Sequence, residues 1–474
     1  MQAQDHAPLL DQIFSVDLHE ESYVIESISG TIPEYVRGAY YLNGPARFSI
    51  GDVTYNNWLD GDGMVTSLAF TDEAVKFTNR FVHSHKYLAE EKAGRAIYRC
   101  FGTAFEGDEL KRGIGTESPI NVSLYPFANR LLAFGEQSMP YELEMETLET
   151  IGPFDFDGYL NDITPFSAHP KFDRESGEMF NFGISFSSRQ PRLTLHRFDA
   201  TGKIIFRKRL AIDYACSIHD FGLSPSYAIF YLSPYILDIE KLTQNGSATI
   251  DTMSWRPELG SQLRILSRED GTEVANIPIG QGYCLHLANC FEADGLLVVD
   301  VVEYERPLYE EYQPIPDLFT TVSPGRPVRL SIDMSSQEIV GRHVVDYARS
   351  PDFPGCDPRL LTKPCQDMWM LGISKATGQN GRKFYDELVH VEWQQDTVRD
   401  LYRAPAGSYL GGEPVFVGDP SDESKGAIIC QIHDTSNQQS DFAVFDAFDV
   451  SAGPQARLHL RHPIRLGFHA CFDG

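Results

Sequence analysis

The stretch His169-Pro-Lys-Phe172, Asp173-Arg-Glu-Ser-Gly177, Met179-Phe-Asn-Phe-Gly-Ile184 reads as a short strand, a turn and a second strand. Asp and Ser side chains in such a turn bond to nearby backbone, and Gly supplies the positive φ that the reversal needs. Aromatic and β-branched residues on either side favour a pleated, half-buried surface. The same pattern recurs from Asn121 to Glu136, from His219 to Leu232, from His286 to Val302 and from Pro414 to Ile432. Helical periodicity is scarce, and no Pro/Ser-rich linker divides the chain. Radial repetition of such units predicts an all-β fold, a β-propeller, in a single domain spanning 1–474. At roughly 50 to 70 residues per blade the length suits seven blades. Ile236-Leu-Asp-Ile-Glu-Lys-Leu242 and the polar segment from Glu303 onward read as insertions that would form a helical and loop cap over one face.

Three of the hairpins begin with a histidine in an apolar setting, at His169, His219 and His286, and a fourth histidine, His469, lies near the C-terminus. One histidine on an apolar strand is usually a satisfied core residue. Repetition at equivalent places on different blades is another matter, because such positions converge on the propeller axis. Four converging imidazoles make a site of borderline-soft nitrogen ligands suited to iron, zinc or copper. Neutral ligands leave a dication uncompensated, so carboxylates are expected behind them, receiving the free ring N–H groups. The remaining histidines lack this context: His83 and His85 read as a solvated strand face, and His196, His343 and His390 have no accompanying motif.

Composition narrows the function. Lys plus Arg number 40 against 67 Asp plus Glu, a formal net charge of −27. That balance excludes a phosphate-binding surface of the nucleic-acid type and disfavours attraction to anionic lipid. The 30 Phe, 22 Tyr and 4 Trp suit tightly packed strands or an apolar ligand. No secretory signal or 18-residue apolar run is visible, and the eight cysteines contain no CxxC pair. They read as reduced core residues of a cytoplasmic protein. Apolar residues at Tyr235-Ile-Leu237 and within Pro314–Val322, namely Ile315, Leu318 and Phe319, would suit an apolar patch for peripheral membrane association. Asp60-Gly-Asp-Gly63 resembles the start of a calcium loop, but it lacks the glycine spacing and terminal Glu of an EF-hand. Asp220-Phe-Gly222 is a kinase-like tripeptide without the other kinase motifs.

Taken in order, Leu42-Asn-Gly-Pro45, Trp58-Leu-Asp-Gly-Asp-Gly-Met64, Ser167-Ala-His-Pro-Lys171, Ile218-His-Asp-Phe221, His286 through Glu292, Gly412-Glu-Pro-Val-Phe-Val417 and Gly467-Phe-His469 resemble one known family. It is the carotenoid cleavage oxygenases, iron-dependent alkene-cleaving dioxygenases related to the retinoid isomerase of the visual cycle. The resemblance runs from about Tyr35 to the C-terminus. It implies a seven-bladed propeller with Fe(II), that is Fe(2+), held by His169, His219, His286 and His469. It implies carboxylates that orient the ligand rings: Glu136 behind His219, Asp352 behind His286 and Glu413 behind His469. Asp352 stands where relatives carry Glu, so its contact to His286 is expected to be longer or bridged by water. Val122 stands where many relatives carry Thr and would block one coordination position of the metal. No further catalytic side chain is required.

The substrate class that follows is an apolar polyene, a carotenoid or apocarotenoid, cleaved with O2 to two carbonyl products. Stilbene-cleaving relatives carry Lys directly before the first carboxylate, where this chain has Gly135, so a stilbene or phenylpropanoid alkene is the alternative substrate. A retinyl-ester isomerohydrolase is a narrower branch. From other classes, a propeller scaffold with a structural metal predicts a closed site, and a zinc hydrolase predicts activity restored by zinc.

Overall fold

The computed structural model describes residues 12–113, 115–186, 190–244, 246–315, 318–319, 323–347, 349–374 and 384–474, without the side chains of 311, 313 and 319. Seven larger antiparallel sheets follow one another along the chain, five of four strands and two of five, as the recurring hairpins predict. The ring closes on strands from both ends of the chain. Ala470–Asp473 pairs with Gly38–Arg47 in the first sheet, and Ile28–Gly30 pairs with Pro454–His459 in the last. Two edges are thereby consumed where an open ring would expose them.

The Leu42-Asn-Gly-Pro45 motif makes this closure. Asn43 donates from its amide to the carbonyls of Ile120 and Ser123, both at 3.1 Å, and so joins the first blade to the second. Its backbone exchanges hydrogen bonds with Phe468 and His469 at 2.8 and 3.1 Å. A Cβ on Gly44 would lie 2.5 Å from the Cα of Gly467, so the two chain ends meet only because no side chain stands there.

Seven strands start the seven sheets on the side of the axis: Ser123–Phe127, Lys171–Phe172, Gly222–Leu223, Tyr283–Ala293, Ser350–Gly355, Ser408–Asp419 and Ala470–Asp473. The longest of them, Tyr283–Ala293 and Ser408–Asp419, are buried on both faces over most of their length, whereas outer strands such as Ile204–Ala211 alternate half-buried and exposed residues. On these strands, or within three residues before them, lie Val122, His169, His219, His286, Asp352, Glu413 and His469, one per blade. Each strand therefore delivers one side chain of the expected constellation.

The cap is built from insertions, as expected. Tyr235–Leu237, Ile239–Gln244 and Met253–Trp255 interrupt the fourth blade between Tyr227–Leu232 and Ser261–Ser267. Leu308–Glu311, Tyr312–Gln313 and Leu318–Phe319 interrupt the fifth between Leu296–Tyr304 and Gly325–Asp333. The helix His85–Ala93 is fixed by Lys86, a fully buried ammonium 3.0 Å from Asp62, 2.9 Å from Glu90 and 3.0 Å from the Tyr55 hydroxyl. A buried ammonium is tolerable only with such partners. Asp60 accepts from the Gly102 N–H at 2.9 Å and the Thr103 hydroxyl at 2.6 Å, so the Asp-Gly-Asp-Gly run serves the fold and not a calcium ion.

The cap also corrects the expected docking patch. Leu318 is 1% exposed and belongs to the core, Tyr235 and Leu237 are buried, and Ile236 and Ile315 are half-buried. Apolar character at Leu318, Tyr235 and Leu237 reflects packing of the cap onto the blades. The Phe319 side chain and residues 320–322 lie outside the described residues. Among the described residues no helix is long and apolar enough to cross a membrane. All eight cysteines are free, six of them buried.

Candidate metal centre

His169, His219, His286 and His469 converge: one ligand nitrogen from each lies within 4.8 Å of the others. The Nε2 atoms of His169 and His219 are 2.8 Å apart. Two ring nitrogens tolerate that separation only with a shared proton or a cation between them. His286 Nε2 is buried and has no hydrogen-bond partner, a costly state for a polar atom unless a ligand satisfies it. Metal–nitrogen bonds of about 2.1 Å would place nitrogens of one coordination sphere at separations of this order. The residues present fit a metal ion.

Local backbone irregularity aims the side chains. The pairing register shifts between Cys284 and Leu287, around His286; between Asp352 and Gly355; and between Gly411 and Val415, around Glu413. A bulge bends its strand and re-aims the residue it carries. Phe353, directly after Asp352, has φ 54°, a left-handed conformation that costs strain for a bulky residue. The turn brings the Phe353 N–H within 2.9 Å of the Asp352 carboxylate and its ring against His286, with centroids 5.6 Å apart.

Carboxylates lie beside three of the imidazoles. Asp352 Oδ1 lies 2.6 Å from His286 Nδ1, and Glu413 Oε2 lies 3.1 Å from His469 Nδ1. Glu136 Oε1 lies 2.8 Å from His219 Nδ1, a close ionic contact without a linear hydrogen bond. The expectation of a long or water-bridged contact at Asp352 is therefore wrong. The bulged strand carries the aspartate inward far enough for its shorter side chain to reach the ring directly.

Sequence reasoning missed one carboxylate. Asp220 is buried 3.9 Å from His169 Nδ1, beside Lys171 Nζ at 2.8 Å, and accepts from the backbone N–H groups of Phe221 and Leu287 at 2.7 and 2.9 Å. It ties the histidine-bearing segments of three consecutive blades together. The signal was its place directly after His219, dismissed with the kinase-like tripeptide.

Electrostatics favour neutral, ligating imidazoles on one side of the cluster. Burial, together with His219, His469 and His286 nearby, holds His169 well below the usual histidine pKa. Burial also lowers His469, with Glu413 opposing it. At His286 burial acts downward, but Asp352 overrides it and raises the pKa; the same pairing holds Asp352 below the ordinary carboxylate value against its own burial. Four carboxylates around four imidazoles, one of them paired with Lys171, would offset the charge of a bound dication.

A cavity of about 560 Å³ reaches this cluster, lined in part by His219, His286 and His469. Trp58, Phe101, Tyr309, Phe353, Tyr385 and Phe468 supply much of its aromatic wall. Trp58 packs edge-on to Phe468, with centroids 4.5 Å apart, which places the Trp58–Asp60 turn beside His469. Val122 also lines the cavity, and its carbonyl accepts from the His469 N–H at 3.2 Å. The volume falls within the range of about 300 to 1,000 Å³ usual for small-molecule sites. The closed site that a structural-metal scaffold requires is not what the chain builds.

Residues 13–473 match the family described as retinal pigment epithelial membrane protein. The chain is 31% identical to apocarotenoid-15,15'-oxygenase of Synechocystis over 95% of its own length and 93% of the relative. It is 25% identical to isoeugenol monooxygenase of Pseudomonas nitroreducens, over 94% and 93%. A solved variant of the Synechocystis apocarotenoid oxygenase superposes with TM-score 0.89 at 28% identity, covering 100% of both chains. A cobalt-substituted form of that enzyme gives 0.87 at 28% identity over 98% of each. The chain belongs to this family of carotenoid oxygenases.

Proposed function

We propose that the protein is a non-haem Fe(II)-dependent dioxygenase that cleaves a C=C bond of a carotenoid or apocarotenoid to two carbonyl products. The observation that carries this reading is the opening of the four-imidazole cluster onto an aromatic cavity. His169, His219, His286 and His469 would hold the metal through nitrogens, a donor set that suits Fe(II). Bound there, the iron would supply the electrons that let O2 add to an electron-rich alkene.

The chain's own residues do the rest. Asp352 and Glu413 receive ring N–H groups, which fixes the tautomer and turns each Nε2 inward. Glu136 lies beside His219 Nδ1 from the cavity side and steadies that ring by charge, without a formed hydrogen bond. Val122, which lines the cavity beside His469, would present methyl groups towards a bound metal and leave fewer positions for O2 or water. The aromatic wall excludes water and sets which double bond lies over the cluster.

Position 135 favours a polyene over a phenolic stilbene. A Cβ there would fall 2.1 Å from Ser118 Oγ and 2.9 Å from Ile120 Cα, so a longer side chain at that place requires the backbone to move. The eight unpaired cysteines suit a reducing, cytoplasmic compartment. Burial of Leu318, Tyr235 and Leu237 leaves membrane docking through those residues outside the proposal.

The test is incubation of the Fe(II)-loaded protein with carotenoids, apocarotenals and stilbenes under ¹⁸O2. The reading predicts polyene cleavage, with two carbonyl products whose masses mark the bond and carry the label. Cleavage confined to the stilbenes would replace the substrate class, and unlabelled products would overturn the reaction.

A further inference from the structure

The cavity has one feature that neither metal binding nor polyene packing uses. Its charged lining residues, the histidines aside, are the carboxylates Asp60, Glu117, Glu136, Asp162 and Asp352 and a single described cation, Lys111. Lys111 lies at the base of a tight turn, where its N–H donates to the Gly115 carbonyl at 2.7 Å. Its ammonium is 2.9 Å from Glu117 Oε1, and the two side chains are 21% and 6% exposed. Lys111 is thus neither buried as part of the core nor free in solvent. An ammonium carries three donors, and Glu117 occupies one.

The same wall continues towards the metal. Glu117 is followed by Ser118, whose hydroxyl packs on Gly135, and Gly135 precedes Glu136 at His219. Lys111 and the cluster are therefore placed along one continuous lining. An acceptor oxygen carried into a cavity lined largely by apolar surface and carboxylates loses its water and gains from a charged donor there.

We propose that Lys111 is a specificity-determining residue that donates a hydrogen bond to a terminal oxygen of the substrate, an aldehyde, alcohol or carboxylate at one end of the polyene. Glu117 holds the ammonium in place for it. This rests on the reading of the site as a polyene oxygenase, and it selects oxygen-terminated apocarotenoids over hydrocarbon polyenes of equal length.

Steady-state cleavage of matched polyenes ending in an aldehyde, a carboxylate or a methyl group tests it. The wild type should show a KM for the oxygen-ended substrates roughly tenfold below that for the methyl-ended one, with similar kcat, as one charge-assisted hydrogen bond supplies. In Lys111→Met/Glu117→Gln, which leaves no unpaired carboxylate, the two KM values should become equal while kcat stays within about twofold; Lys111→Arg should retain the difference. Glu117→Gln alone separates a positioning effect from loss of the donor and should keep most of the preference. An unchanged preference in the double variant would overturn the proposal, as would its complete loss in Glu117→Gln alone. If the wild type cleaves none of the polyenes, the oxygenase reading itself fails, and the role of Lys111 falls with it.

Discussion

His286 and His390 sit one blade apart, both buried and both against aspartate, and they differ at the second ring nitrogen. His390, on the third strand of the sixth sheet, has both ring nitrogens satisfied, Nε2 by Asp367 at 2.8 Å and Nδ1 by Asp400 at 3.2 Å. Its ring stacks on Trp369 with centroids 5.0 Å apart. His286, on the axial strand of the fifth sheet, has Asp352 on one nitrogen and nothing on the other. A carboxylate beside an imidazole is thus common to structure and function, and the second nitrogen tells them apart. Even that is insufficient alone, since His196 and His433 also leave Nε2 unpaired. Convergence completes the criterion: His286 points at three other imidazoles, and neither of those does.

The sharpest way to break the contrast is to remove each ring. His286→Ala should lose bound iron and cleavage to background while the propeller keeps its circular dichroism. His390→Gln should retain one iron per chain and most activity. Equal metal content in the two variants, measured by elemental analysis, would dissolve the distinction.

A smaller effect is expected behind the ring. Asp352→Asn keeps the shape but weakens the acceptor at a fully buried contact, and should cost about 10- to 100-fold in metal affinity or activity. Glu136 is 38% exposed and poorly aligned with His219, so solvent screens the pair. Glu136→Gln should therefore cost less than Asp352→Asn, about tenfold or below. The reverse order in a competitive chelator titration would mean that the cavity-side pair, not the dry one, positions the metal.

The mildest prediction concerns pH. Although burial opposes it, pairing with Asp367 and then Asp400 raises the His390 pKa above its ordinary 6.5. The imidazolium's contribution to stability is then fully present below 6.5 and lost as pH rises through the raised folded value. Thermal melts from pH 6 to 9 should show the wild type losing stability over that window and His390→Gln losing less. Parallel curves would deny His390 its charged, structural role.

How much of this was legible in the sequence depends on what each residue needs. The blades and the four histidines were readable because turn chemistry and strand propensity are local and recur at each hairpin. The carboxylates were readable only through the family resemblance, because Glu136, Asp352 and Glu413 lie far along the chain from the rings they touch. The 2.6 Å reach of Asp352 was not readable. It depends on a bulge and on the positive φ of Phe353, which a Phe in the sequence does not announce. Asp220 was missed for a related reason, since it acts across three blades. Leu318, Tyr235 and Leu237 leave the expected docking patch because apolar residues of a cap look the same in sequence whether they face outward or the blades, and these three are buried.

The central claim is that the four imidazoles hold the Fe(II) on which alkene cleavage depends. Its most direct test is an anaerobic titration of metal-free protein with Fe(II), each point then assayed for apocarotenoid cleavage in air. The rate should rise linearly and break at one iron per chain, with zinc giving none. Cleavage without added metal, or restored equally by zinc, would contradict it.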